Sequence, residues 1–113
     1  MANHLEYYIR EVLQDFEKRG RLKASVSDTM KKMSVKTERE PYSFKGKQYV
    51  GTTYTLHIEG RKSDLVAKSM PRKGGVRVVG HSNRKNDLRE AARDMLWHEP
   101  LICHVEPGIP IYF

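Results

Sequence analysis

Residues 42–59 read Tyr42-Ser43-Phe44-Lys45-Gly46-Lys47-Gln48-Tyr49-Val50-Gly51-Thr52-Thr53-Tyr54-Thr55-Leu56-His57-Ile58-Glu59, and the period of this stretch is two. Tyr54, Leu56 and Ile58 alternate with Thr53, Thr55, His57 and Glu59, the pattern of a strand with one face on a core and the other toward water. Tyr42 and Phe44 alternate in the same way ahead of a Lys45-Gly46-Lys47 turn, so a hairpin leads into that long strand. Downstream, Gly60 to Ser63 predicts a second turn, Leu65 to Met70 a third strand, Pro71 to Gly75 a basic loop and Val76 to Val79 a fourth strand. An antiparallel meander is the economical arrangement.

The flanks change period. Leu5, Tyr8, Ile9, Val12, Leu13 and Phe16 fall at steps of three and four, which predicts an amphipathic helix from about 3 to 19. Asn3 followed by Glu6 resembles a capping box, and Gly20 suits the left-handed residue that ends a helix. Val26, Met30 and Met33 keep a helical spacing among weak helix formers, so residues 26–34 read as a short helix or an ordered loop. Residues 20–41 are expected to be the most mobile part of the chain. Leu88, Ala91, Ala92, Met95 and Leu96 restore the helical period over about 83–98, with Ser82 or Asn83 as the expected N-cap and Pro100 beyond the end. From Ile102 to Phe113 a loose alternation, broken by Pro107, Gly108 and Pro110, reads as an extended tail.

The expected fold is therefore α+β. An antiparallel sheet of three to four strands is flanked by an N-terminal and a C-terminal helix packed on one face, followed by an extended C-terminal tail. At 113 residues the chain holds one domain, and with 31% charged residues its core is thin. No apolar run is long enough to cross a bilayer, and Glu6, Glu11, Asp15 and Glu17 stand where a signal peptide would be apolar. A soluble, cytoplasmic protein without membrane contact is expected. The single cysteine, Cys103, excludes an internal disulfide and a Cys-rich zinc site.

The net charge of +7 hides a segregation, because residues 18–85 hold 18 bases against 5 acids while both ends are acidic. Such a concentration attracts polyanions. In the second helix, Arg84 and Lys85 would occupy the first turn, with Arg89 and Arg93 following, so that Lys85, Arg89 and Arg93 form one basic ridge. Bases at a helix N-terminus oppose the macrodipole, and a phosphate bound by the side chains and free N–H groups together would offset that. Loop bases extend the set: Lys45 and Lys47 flank one turn, Arg61 and Lys62 another, and Arg72, Lys73 and Arg77 surround Gly74-Gly75. Each is a candidate phosphate contact that carries no sequence information. Tyr42, Phe44, Tyr49 and Tyr54 are candidates for stacking on unpaired bases if the sheet exposes them, and core residues if it does not.

The run Asn83-Arg84-Lys85-Asn86-Asp87-Leu88-Arg89-Glu90-Ala91-Ala92-Arg93-Asp94-Met95-Leu96, preceded by a strand and a short turn, resembles the last strand and second helix of double-stranded-RNA-binding domains. Arg84 and Lys85 match that family's paired bases, Ala91 and Ala92 its small pair, and Met95 and Leu96 its apolar pair. The resemblance covers roughly 48–97 and includes the order helix, strands, helix. Residues 21–41 are additional, and the family's Gly-Pro-x-His loop has no counterpart. What the resemblance implies is that Arg84 and Lys85 touch phosphates across a duplex groove.

The function expected from these readings is a small basic nucleic-acid-binding protein, duplex-binding through phosphate contacts, with little sequence specificity and no cofactor. A second reading is a small adaptor or inhibitor, of the kind mobile genetic elements encode, that docks its basic face on an acidic host protein or forms a homodimer. The third is a metal-dependent nuclease using His57, Glu59 and Asp64, although no acid–base pair stands out and no catalytic residue is assigned. His98, Cys103 and His104 fit no standard zinc spacing. No Gly-rich phosphate loop, nucleophile elbow or dinucleotide fingerprint is present.

Overall fold

A computed structural model describes residues 4–70, 75–81 and 83–104. Its elements are α1 (His4–Lys18), α2 (Val26–Lys31), β1 (Met33–Phe44), β2 (Lys47–Ile58), β3 (Leu65–Ser69), β4 (Val76–Val78) and α3 (Leu88–Leu96). The strands form one antiparallel sheet in the order β1-β2-β3-β4, flanked by the N- and C-terminal helices. This is the expected α+β meander.

Alternation along β2 decides the sidedness of the sheet. Tyr54, Leu56 and Ile58 are buried and meet Leu5, Ile9, Leu13 and Phe16 of α1 and Ala91, Ala92, Met95 and Leu96 of α3 in a single core. Ala67 of β3 and Val76 and Val78 of β4 complete that face. Both long helices lie on this side, and no described element covers the other.

Chain reversals follow local chemistry. Phe44 pairs with Lys47, which leaves Lys45 and Gly46 as a two-residue turn with φ of 52° and 78°. Two successive left-handed residues make the turn whose twist matches that of the strands it joins. β3 pairs only with residues 52–56 of β2, so among the described residues 40–44 and 47–51 are strand-paired with each other alone and form a two-stranded arm beyond the three-stranded part of the sheet.

Two expectations need correction. Residues 20–41, expected to be the most mobile, contain α2 and most of β1. Ser25 caps α2, its hydroxyl accepting the Asp28 N–H at 3.1 Å. β1 is inconspicuous in sequence because it is an edge strand with residues 36–41 all exposed, and only Val35 interrupts the polar run after Ser34. Register with β2 supplies the order that its side chains do not advertise.

α3 also begins later than 83. Its N-cap is Asp87, whose carboxylate accepts the Glu90 N–H at 2.9 Å, while the Glu90 carboxylate accepts the Asn86 N–H at 2.9 Å. Lys85 instead forms a β-bridge to Val76, with both N–H to O distances at 2.7 Å. Gly75 makes that bridge possible: at φ 73° a side chain is strained, and a Cβ there would stand 2.4 Å from the Lys85 carbonyl oxygen. The first turn of α3 is thus acidic, in agreement with the macrodipole.

The helix layer is closed by a cationic–aromatic stack. Arg21 lies 3.7 Å from the Trp97 ring centroid and Arg93 4.7 Å from it, with Phe16 edge-on to the indole at 5.3 Å. Arg21 Nε also donates to the Trp97 carbonyl at 3.1 Å. Ile102 and Cys103 are buried, and Cys103 bridges to Leu22; the tail from 105 onward lies outside the described residues.

Candidate nucleic-acid interface

The uncovered sheet face is assembled by register. Alternation opposite to Tyr54 and Leu56 places Thr53 and Thr55 of β2, Lys68 of β3 and Arg77 of β4 on it. Thr53 pairs with Lys68 and Lys68 with Arg77, so a hydroxyl and two cations form one row across three strands. Neither cation has an ion pair with a described acid. Like charges directly opposite on antiparallel strands repel, and this pair sits where a polyanion could neutralise both.

The same face continues onto the arm, where its bases meet aromatic rings. Tyr42 and Tyr49 are cross-strand partners with ring centroids 5.7 Å apart and planes tilted by 32°. Phe44 follows, with the Lys45 ammonium 5.3 Å from its centroid, and Lys47 is exposed beside them. All three rings are half-buried. Tyr54 is not among them: it points into the core at 6% exposure, and burial pushes its phenol above the usual value.

Other expected site residues are placed elsewhere. Arg61 is held internally, with Nε 2.9 Å from the buried Glu99 carboxylate and Nη1 on the Ser63 carbonyl, so it fastens the β2–β3 turn to the segment after α3. Lys62 is exposed on that turn. Arg72 and Lys73 lie outside the described residues. The helical ridge does not form, since Arg84 and Lys85 precede α3. Lys85 Nζ is 3.7 Å from Asp94, which also receives His81. Arg93 turns into the seam between helices, donating to Asp15 at 2.9 Å. Arg89 remains exposed on α3.

Asp15 accepts from Arg93 and from Arg19, at 2.9 and 3.0 Å, and these bonds hold its carboxyl below the usual carboxylate value. Asp15 therefore serves the helix layer, on the side away from Lys68 and Arg77. Lys68 is the residue that sequence reasoning missed. Its signal is the strand parity itself, because the antiparallel register of β3 with β4 sets 68 against 77.

Of the nuclease residues, His57 Nδ1 stands 2.8 Å from Asp64, while Glu59 falls past the end of β2 with its N–H on the Lys32 carbonyl. Among the described residues no three His, Cys, Asp or Glu side chains gather as metal ligands. Cys103 donates to the Leu96 carbonyl at 3.4 Å, and burial raises its thiol pKa. Among the described residues no helix is long and apolar enough to cross a membrane. No family model, curated protein or solved structure matches the chain.

Proposed function

We propose that the chain binds nucleic acid, duplex in particular, through phosphate contacts made by the uncovered face of the sheet. The observation that carries this reading is the Lys68–Arg77 pair, two cations set directly opposite each other on a face that no described element covers. A phosphate backbone turns their mutual repulsion into attraction, and the Thr53 and Thr55 hydroxyls can donate to phosphate oxygens alongside. Lys45 and Lys47 extend the basic surface outward. α1, with four acids against two bases, lies behind the core and orients the polyanion toward the sheet. Such contacts read no base edges, so the binding is largely indifferent to sequence.

This reading keeps the duplex ligand implied by the resemblance to double-stranded-RNA-binding domains and moves the phosphate contacts from the second helix to the sheet. Titration of labelled RNA and DNA duplexes across a salt series is the test. Affinity should decline steeply with salt, with a log–log slope that reflects several phosphates. Absence of binding at low ionic strength overturns the proposal, and recovery of a stoichiometric acidic protein from nuclease-treated lysate would then favour the adaptor reading.

A further inference from the structure

The arm is made unlike the rest of the sheet. A two-stranded ribbon is marginal in water, yet this one carries three aromatic rings on the side continuous with Lys68 and Arg77. Gly51 lets Tyr42 lie flat across β2, because a Cβ there would come within 3.3 Å of the ring and 2.9 Å of the Ser69 carbonyl oxygen. Tyr42, Gly51, Thr53 and Lys68 border one shallow cleft where the arm meets the sheet. Glu40 lies on the same rim and sets a boundary to where phosphates can run. Half-exposed rings with cations at both ends have the composition of surfaces that stack bases and hold the phosphates between them.

We infer that the arm receives unpaired bases, so that the preferred ligand is a duplex bearing a short single-stranded extension. The inference rests on the nucleic-acid reading above. Duplex phosphates lie on Lys68 and Arg77, and the extension runs along the arm with its bases on Tyr49 and Phe44 and its phosphates toward Lys45 and Lys47. Tyr49 is four residues from Thr53 along β2, a separation of about 14 Å at ~3.4 Å per residue. Roughly four stacked nucleotides at ~3.4 Å each span it.

The experiment compares a blunt duplex of about 16 base pairs with the same duplex carrying a single-stranded extension of roughly six nucleotides, on either strand. The full chain should bind one of the extended forms at least about tenfold more tightly, the gain that a single stacked base already supplies. Phe44→Ala/Tyr49→Ala should lose that gain and bind blunt and extended duplex with equal affinity, and should still fold since both rings stand outside the core. Tyr49→Phe should retain it, because the ring is enough. Circular dichroism checks that each variant folds. Equal affinity of the full chain for blunt and extended duplex overturns the inference and leaves duplex binding standing; failure of every ligand to bind at low salt removes both.

Discussion

Asp15 and Arg93, far apart in sequence, meet at 2.9 Å and tie α1 to α3 across the top of the core. The same carboxylate accepts from Arg19, and both guanidinium bonds favour its charged form. Its folded pKa is below the unfolded value, so its contribution to stability is present above the unfolded pKa and is lost as pH falls through the folded one. Thermal melts between neutral and strongly acidic pH should therefore show a steeper acid loss for the native chain than for Asp15→Asn. Parallel curves would mean that the contact is energetically silent.

Among the described glycines, Gly75 is the one least able to accept a side chain. Gly75→Ala combines a left-handed φ with a 2.4 Å approach to the Lys85 carbonyl, and should cost about 2–3 kcal/mol. Gly20→Ala, at φ 69° with nothing within 4 Å, should cost only about 1 kcal/mol. Denaturant midpoints of the two variants decide the order.

The start of α3 is equally open to measurement. Asp87→Ala removes the cap and should destabilise by about 1 kcal/mol. Asn83→Ala, exposed and four residues ahead of the cap, should be close to neutral. The reverse result would restore the longer helix expected from the sequence.

Lys68→Gln/Arg77→Gln should lower the salt slope of duplex binding by about two units. The same change should raise stability by a few tenths of a kcal/mol, as a like-charge cross-strand pair is removed. Arg84→Ala/Lys85→Ala/Arg89→Ala should change the slope less, because Lys85 is turned toward Asp94. A larger effect from this triple variant would return the interface to α3.

Cys103 is fully buried and should resist thiol reagents in the folded chain, with labelling that follows unfolding. Rapid labelling under native conditions would contradict its place in the core.

α1, the β2 alternation and the hairpin turn are legible in the sequence because each has a core face that imposes its own period. Residues 33–41 of β1 are not, since an edge strand can be polar on both sides and take its order from a neighbour's hydrogen bonds. The onset of α3 is hidden for a related reason: Asn83 and Asp87 are both good caps, and only the Val76–Lys85 bridge, a long-range contact, selects the later one. At the candidate interface the loop bases can be read from composition, whereas the Lys68–Arg77 pair depends on register. Which rings face outward is a matter of strand parity, and parity separates Tyr49 from Tyr54 only once the buried face is known.

The stack of Arg21, Trp97 and Arg93 has a spectroscopic consequence. Trp97 is the chain's one indole, half-buried between two guanidinium groups and against Phe16 in the helix layer. Its emission should respond when that layer separates and stay nearly constant when something settles on the opposite side of the sheet. Tyr42 and Tyr49 stand on that opposite side. Trp97 is thus an intrinsic optical probe of the fold that stands on the face away from the candidate interface.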